Sequence, residues 1–272
     1  IKLFEEQKQA IIHRAVTRGL DPNVRLKPSG VEWLGNVPEH WKVMTLRRGC
    51  KRITDGAHIS PDTTSPDFPF VSTVDIHDGV IDFNFCLRTK YDSYYYLVRT
   101  GCRPLTGDVL FSKDGTVGRT AVVDFDKEFV VASSLVIISP LVKMFDSHYL
   151  SYILSCTALK PELEILMSGS ALRRISVEKV SRLPFCCPPV EEQHAIANHI
   201  DKDTKGVKRA ICMTAASIHS MGEYRTRLIA DVVTGKLDVR EAAANLPEET
   251  DESEPPEEVE EPTTTEESTV VH

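Results

Sequence analysis

Residues 191–235 read EEQHAIANHIDKDTKGVKRAICMTAASIHSMGEYRTRLIADVVTG, which is a single long helical pattern. Mostly apolar residues recur there in two rows at the seven-residue spacing of a coiled coil. The rows are Ala197, Thr204, Ile211, Ile218 and Arg225, and Ile200, Val207, Thr214, Met221 and Leu228. The polar members weaken this seam without abolishing it. A helix of roughly 67 Å, at ~1.5 Å per residue, cannot bury both rows on a small domain, so the pattern predicts a partner helix.

The start of this helix carries its own signals. Pro188-Pro189 closes a predicted strand over residues 183–187, and Glu191-Glu192 supplies the negative charge that a first helical turn favours. The helix is therefore predicted to begin directly after the prolines.

The end of the helix repeats the beginning of the chain. Residues 6–21 align without gaps on residues 223–238. The identical pairs are Glu6/Glu223, Ile12/Ile229, Val16/Val233, Thr17/Thr234, Leu20/Leu237 and Asp21/Asp238. Their apolar positions have helical spacing, so both copies are predicted to be helix ends with one buried stripe. This layout is typical of one half of a tandem-duplicated protein, and since Ile1 already lies inside a helical pattern, we expect part of a longer protein upstream.

Charge is distributed unevenly along the 272 residues, whose net charge is -8. Residues 241–272 hold twelve acidic residues and no Lys or Arg, which leaves 32 basic and 28 acidic residues, a net of +4, in residues 1–240. The end of the chain, rich in Glu, Pro and Thr, is predicted to be disordered. It either weakens nonspecific contact with phosphate or only keeps the chain soluble.

Cysteine usage and hydropathy favour a cytoplasmic protein. The seven cysteines are scattered without a C-x-x-C pair, which fits neither a zinc site nor a secreted disulfide framework. The most apolar stretch, residues 129–142, is interrupted by three serines and a proline, and no signal peptide opens the chain. No membrane span is therefore expected.

The predicted fold class is α+β: one mixed α/β domain followed by a long coiled-coil helix and a disordered acidic tail. Short β-type runs within the domain are separated by Gly, Asp and Pro, and lie at residues 68–74, 80–83, 108–111, 120–123 and 129–132. One helix is predicted among them, over about residues 146–159. The predicted segments are a helix end (1–20), a linker (21–45), the mixed domain (46–188), the long helix (189–237) and the tail (238–272).

Three segments carry the cations and donors that contact with DNA needs. Their candidate residues are Lys51, Arg52 and His58; Ser112, Lys113, Thr116 and Arg119; and Ser170, Arg173 and Arg174. The alternative is structural: solvated loop charges, a tight hairpin turn, and a histidine that only donates a hydrogen bond. Four tyrosines at positions 91, 94, 95 and 96 could stack on bases, but packing is the favoured interpretation.

Motifs for catalysis are weak in this sequence. The glycine-rich turn at residues 112–119 resembles a phosphate-binding loop. That motif needs Gly at 113 and Lys at 119, however, where the chain has Lys113 and Arg119. No glycine-rich S-adenosylmethionine loop and no Asn/Asp-Pro-Pro-aromatic motif is evident. Asp108 and Asp114 leave open a metal-dependent endonuclease, although carboxylates in turns are usually caps.

Several motifs occur in a fixed order along the chain: the two helix ends described above, SGVEWLG (29–35), VPEHW (37–41), ITDGAH (53–58), GDVLFSKDGTVG (107–118) and PPVEEQ (188–193). Together they resemble the motifs of the specificity subunits of type I restriction-modification systems. Each is a weak signal alone, and their order and spacing make the resemblance strong. It covers most of the chain, which would be the C-terminal half of a longer subunit or a natural half-subunit.

The resemblance implies a non-catalytic reader of double-stranded DNA. Residues 46–188 would then be a target-recognition domain that reads one half of a bipartite site. The expected partners are methyltransferase subunits, a restriction subunit and, for a half-subunit, a second copy of the chain. S-adenosylmethionine, Mg²⁺ and ATP would be bound only by those partners. The expected subunit interface comprises Ile200, Val207, Ile211, Ile218, Met221 and Leu228. The alternatives are the endonuclease subunit and a coiled-coil assembly adaptor.

Overall fold

The computed structural model describes residues 1–62, 64, 67–169, 173–240 and 244. Two units are distinguished, Ile1–Ala216 and Ser217–His272. The helices are α1 (Lys2–Arg18), α2 (Tyr91–Arg99), α3 (Ser147–Leu154), α4 (Lys160–Leu166), α5 (Val177–Arg182) and α6 (Val190–Val233). Among the described residues, no helix is both long and apolar enough to cross a membrane.

The described residues of the first unit form thirteen short strands. They are β1 (Leu26–Pro28), β2 (Asn36–Pro38), β3 (Lys42–Thr45), β4 (Cys50–Asp55), β5 (Phe68–Val71), β6 (Ile76–His77), β7 (Val80–Ile81), β8 (Leu87–Thr89), β9 (Val109–Ser112), β10 (Thr120–Val122), β11 (Val130–Val131), β12 (Leu135–Pro140) and β13 (Pro184–Cys187). The largest sheet is antiparallel, in the order β10-β9-β12-β4. A second sheet has the order β11-β5-β8, with β11 parallel to β5.

The two central strands of the antiparallel sheet, β9 and β12, are buried on both faces. Side chains alternate along a strand, and in β9 Val109 and Phe111 face one apolar cluster while Leu110 faces another. Val136 and Ile137 of β12 divide between the same two clusters. A strand covered on both sides must be apolar at successive positions, which is why these two segments are continuous apolar runs. In β9 and β12, polar side chains are therefore confined to the last residues of each strand.

The N-terminal helix and the segment after it are part of the first unit. Val16 of α1 is fully buried in the same cluster as Trp33 and Trp41. Strands β1 and β2 pair with each other, and β3 pairs with β13. Residues 21–45, which were predicted to be a linker, thus form strands and contribute two tryptophans to the core.

Two side chains in the first turn of α6 fix where the helix begins. The fully buried Gln193 donates to the carbonyls of Met144 (2.7 Å) and Pro188 (2.9 Å), and its amide oxygen accepts from the Asp146 amide at 2.9 Å. The Glu192 carboxylate accepts from the indole Nε1 of Trp41 at 3.0 Å. The strand and the helix start predicted on either side of the proline pair are confirmed as β13 and α6. The contacts of Glu192 and Gln193 explain why these residues follow the prolines.

The second unit contains residues 217–233 of α6 and the turn that ends the helix. Gly235 has a φ of 73°, a conformation that favours glycine, and its amide donates to the Val232 carbonyl at 3.1 Å. The exposed large apolar residues here are Ile218, Met221, Tyr224, Leu228, Ile229, Val233 and Leu237. This part of the helix therefore presents apolar side chains that nothing in the described chain covers.

The two copies of the repeated segment differ in burial. Ile12 and Val16 of the first copy are 4% and 0% exposed, because they pack into the core of the first unit. Their equivalents Ile229 and Val233 are 53% and 81% exposed. The same sequence pattern is thus covered in one copy and uncovered in the other.

The coarse prediction of a mixed domain followed by one long helix is confirmed, whereas finer predictions differ from the structure. The single helix predicted over residues 146–159 ends at Leu154, and α2, α4 and α5 were not predicted. Ile200, expected at the subunit interface, is fully buried in the first unit's core. The coiled-coil partner stays a prediction, and the twelve acidic residues of 241–272 lie outside the described residues.

Replacing Gln193 with Ala removes three hydrogen bonds from a buried site and leaves backbone groups without partners. We expect the free energy of unfolding to fall by about 2 to 3 kcal/mol, measured by urea denaturation. Gln7, which is exposed on α1, provides the control, since Gln7→Ala should change stability by less than about 0.5 kcal/mol. Equal losses in the two variants would contradict the anchoring role of Gln193.

Candidate nucleic-acid interface

One end of the antiparallel sheet collects polar residues from segments that are distant in sequence. Strand β4 ends at Asp55, β9 ends at Ser112 and β12 begins at Leu135. These ends are adjacent, because Val136 pairs with Asp55 and Leu135 pairs with Ser112. Residues that follow β4 and β9 therefore emerge at the same end of the sheet, on either side of the start of β12.

A charge cluster lies at this end of the sheet. The Nζ atom of Lys113 is 3.6 Å from Oδ2 of Asp55 and 3.7 Å from Oδ2 of Asp114, and the lysine side chain is only 10% exposed. Nε2 of His58 is 2.8 Å from Oδ2 of Asp55, and Nε of Arg174 is 3.8 Å from Oδ1 of Asp114. These five residues are called the charge cluster below. The buried Lys113 ammonium contacts the carboxylates of Asp55 and Asp114, and these in turn pair with the exposed side chains of His58 and Arg174.

Backbone hydrogen bonds hold the third predicted segment against the second. The Gly115 amide donates to the Arg173 carbonyl at 3.2 Å, and the Ile175 amide donates to the Lys113 carbonyl at 2.9 Å. Arg174 and Ser168 exchange two further bonds of 3.0 Å each. The side chains of Arg173 and Arg174 are exposed on the resulting surface. Ser170, also predicted to bind DNA, lies outside the described residues.

Ser112 and Arg119 stabilise the turn between β9 and β10. The fully buried Ser112 hydroxyl donates to the Thr116 carbonyl at 2.6 Å and accepts from the Arg119 amide at 2.8 Å. The Arg119 guanidinium donates to the carbonyls of Thr73 and Ile76, at 3.3 and 3.2 Å. Ser112 was predicted to bind DNA, but its burial gives it a structural role instead.

Thr116 and Arg119 also line a cleft of about 960 Å³ next to α1. Lys8 on the wall of this cleft is buried and pairs with Glu5 at 2.7 Å and Asp78 at 3.3 Å. These two carboxylates raise the pKa of Lys8, outweighing the burial that lowers it. The lysine is thus a fixed link between α1 and the turn after β6.

Lys51 and Arg52 are not brought to the charge cluster. They lie near the start of β4, where Arg52 pairs with Ser139 in the sheet, whereas the cluster is at the strand's other end. The Arg52 guanidinium donates to the Gly101 carbonyl at 3.4 Å and is 3.5 Å from a carboxylate oxygen of Asp108. Lys51 is exposed. The structure therefore brings together the segments around Lys113 and Arg174, but of the segment with Lys51, Arg52 and His58 only His58 joins them.

Gly56 follows Asp55 at a point of close backbone approach. A Cβ atom at this position would lie 2.2 Å from the Val131 carbonyl oxygen and 2.4 Å from that of Ala132. No side chain fits there, so glycine is required by space alone. The amide of Ala57 donates to the Val131 carbonyl at 2.9 Å, which joins the loop after β4 to the second sheet.

The residues considered for catalysis have structural partners. Asp108 accepts from the Leu105 amide at 2.9 Å and pairs with Arg52, while Asp114 belongs to the charge cluster. Within the described ranges, no group of three or more His, Cys, Asp or Glu residues is arranged to hold a metal ion. Burial raises the pKa of the Cys50 and Cys186 thiols to about 12, so both stay protonated at neutral pH.

The tyrosines of α2 divide between core and surface. Tyr94 is fully buried and its ring stacks on Phe68, with centroids 3.9 Å apart. Tyr91 and Tyr95 are exposed, and their ring centroids are 4.2 Å apart. The interpretation as packing residues holds for Tyr94, whereas the exposed pair forms a small aromatic surface.

The chain is similar in sequence to a known protein family. The family model described as type I restriction modification DNA specificity domain matches residues 38–208, more than half of the chain. The match includes Asp55, Lys113 and Arg174, and it extends into α6.

Two relatives agree with that match. A putative type I restriction enzyme specificity subunit of Haemophilus influenzae is 26% identical over 178 residues, which are 63% of this chain and 42% of the relative. The putative type I restriction enzyme MjaX specificity subunit of Methanocaldococcus jannaschii is 23% identical over 250 residues, 88% of this chain and 53% of the relative. The chain spans about half the length of the relatives that it matches.

A solved structure has a similar fold. It comes from work on complex assembly and conformational transition of the type I restriction-modification system. Superposition covers 85% of this chain and 51% of the solved chain, with a TM-score of 0.56 and 19% identity. At this identity the likeness concerns the fold alone.

Replacing Lys113 with Met leaves the carboxylates of Asp55 and Asp114 without the ammonium that both of them contact. Because both carboxylates retain some exposure, we expect a moderate loss of about 1 to 3 kcal/mol in the free energy of unfolding. Lys51→Met, an exposed position on β4, should change stability by less than about 0.5 kcal/mol. Thermal or urea unfolding compares the two, and a Lys113 variant as stable as the control would refute the pairing.

Proposed function

This chain belongs to the family of type I restriction-modification DNA specificity domains, and on that basis we propose that it recognises one half of a bipartite sequence in double-stranded DNA. In this proposal the chain performs no chemistry and positions partner adenine methyltransferase and restriction subunits on their target. The cofactors S-adenosylmethionine, Mg²⁺ and ATP are assigned to those partners. The proposal of a half-site follows from the chain's span of about half its relatives.

The observation that carries the proposal is the meeting of cation-bearing segments at one end of the sheet. His58, Lys113 and Arg174 are far apart in sequence, yet all belong to the charge cluster. Sequence-specific reading needs donors for base edges together with cations for phosphates. Exposed Arg173 and Arg174 supply both kinds of group on a backbone that hydrogen bonds hold in place.

The exposed half of α6 supports the assembly part of the proposal. Ile218, Met221 and Leu228 are 56%, 69% and 37% exposed and lie on the predicted seam. Large apolar residues in a row on one helix are typical of a surface that another helix covers. We assign this surface to a second specificity half, which is either part of a longer subunit or another copy of this chain.

Selection from a randomised duplex library tests DNA recognition directly. The purified full chain should enrich one short motif, and a footprint on a duplex that carries the motif should protect it. Salt should weaken binding strongly, because phosphate contacts release counterions. Failure to enrich any motif over bulk duplex would refute the proposal.

Incubation of the same preparation with a labelled duplex and Mg²⁺ separates reader from endonuclease. The proposal expects bound but uncut DNA over hours. Cleavage that persists through purification and disappears on substitution of Asp108 or Asp114 by Asn would instead support the endonuclease alternative.

The double substitution Ile218→Glu and Met221→Glu should break assembly, since it places two carboxylates in an apolar seam. Both side chains are exposed, so the fold of the first unit should be unchanged by circular dichroism. Sedimentation velocity should show loss of self-association, or of complex formation with a second specificity half. The matched control is Ser217→Glu with Ser220→Glu on a neighbouring helix face. Retained association in the apolar variant would contradict this seam.

A further inference from the structure

We infer that Arg174 reads a guanine in the major groove, that Asp114 is the positioning residue for its guanidinium, and that Arg173 contacts phosphate instead. This division of roles deepens the proposed function and rests on it. It is carried by three features of the loop: the fixed backbone of Arg174, the position of the Asp114 carboxylate, and the different charge environments of the two arginines.

The backbone of Arg174 is fixed on both sides. Its amide and carbonyl both bond to Ser168 at 3.0 Å, and the residue forms an isolated bridge with Asp114. The next residue, Ile175, is 1% exposed in the core and donates to the Lys113 carbonyl at 2.9 Å. A side chain on such a frame loses little further backbone freedom on binding, which favours a contact with defined geometry.

The Asp114 carboxylate approaches Arg174 from the Nε side. The shortest contact is 3.8 Å, from Oδ1 of Asp114 to Nε of Arg174. This buried oxygen has no hydrogen-bond partner among the described residues, so it is an acceptor available to the guanidinium. The pair does not use the two Nη groups, which form the fork that binds O6 and N7 of guanine.

Lys113 keeps the Asp114 carboxylate in place. Its ammonium is 3.7 Å from the other carboxylate oxygen, and the Asp114 side chain is only 14% exposed. A carboxylate in this position cannot swing into solvent without leaving a buried cation half-paired. The anchor is therefore firmer than an exposed arginine–carboxylate pair would be.

Charge distinguishes Arg174 from its neighbour. Pairing with Asp114 offsets much of the Arg174 charge, so its attraction to phosphate is reduced while its forked donors remain. No carboxylate of the described residues lies within ion-pair distance of Arg173. A guanidinium with full charge on an exposed loop is suited to a phosphate contact, which carries no sequence information directly.

The test uses the full chain and the motif found by library selection. Each base pair of the half-site is replaced in turn, and binding is measured by fluorescence anisotropy at several salt concentrations. The variants are Arg174→Lys, Asp114→Asn and Arg173→Ala. Arg174→Lys keeps the charge and removes the fork, so it separates geometry from electrostatics. Circular dichroism and thermal unfolding confirm that each variant is folded.

We expect the wild-type chain to discriminate one G·C pair by about 5- to 150-fold. Arg174→Lys should abolish discrimination at that pair alone. Asp114→Asn should reduce discrimination at the same pair and leave the salt dependence equal or steeper, because a neutralising charge is lost. Arg173→Ala should weaken binding equally on all duplexes and make the slope of log K against log salt shallower by about 1.

Different failures identify different errors. If the wild-type chain binds its motif specifically but Arg174→Lys weakens all duplexes equally, or Arg173→Ala relaxes one position, the assignment of roles is wrong and the proposed function stands. If the half-site contains no guanine that the chain discriminates, the assignment of roles is likewise wrong and the proposed function stands. If the wild-type chain shows no sequence preference, the proposed function and this inference fall together. An unfolded Asp114→Asn variant leaves the decision to Arg174→Lys, whose exposed side chain is not needed for folding.

Discussion

Burial of the central strands β9 and β12 on both faces is the constraint on which the rest of the first unit depends. Strands β9 and β12 divide their side chains between two apolar clusters, so an ionised group within either strand would lose its water without gaining a partner. Neither β9 nor β12 contains a charged residue. The polar ends of β4 and β9 lie on either side of the start of β12, and the fold thereby assembles a charged surface from separate parts of the chain.

Local sequence signals identified much of this architecture. Continuous apolar runs indicated the central strands, and the proline pair followed by acidic residues indicated where α6 begins at Val190. Cation-bearing turns indicated the segments around Lys113 and Arg174, which the structure joins through Asp114. These signals are local in origin: strand burial, helix initiation and turn chemistry each act within a few residues. Buried strands, helix starts and turns can therefore be predicted from a single sequence.

The remaining features depend on contacts between distant residues, which one sequence does not reveal. The seam pattern around Ile200 is the same whether the side chain meets another subunit or its own core, and the structure places it in the core. Ser112 has the chemistry of a DNA contact, but the turn uses its hydroxyl. Trp33 and Trp41 sit in a segment rich in Pro and Gly, so only the packed structure identifies that segment as part of the core.

The close approach at Gly56 has a consequence for how such a surface can diverge. The chain leaves β4 by passing against the Val131 and Ala132 carbonyls, and the Ala57 amide donates to the Val131 carbonyl. Backbone contacts thus fix the chain at this point, whatever side chains follow further along the loop. Mutations that accumulate after His58 can therefore alter the outer contour of the protein while the backbone contacts at Gly56 stay in place.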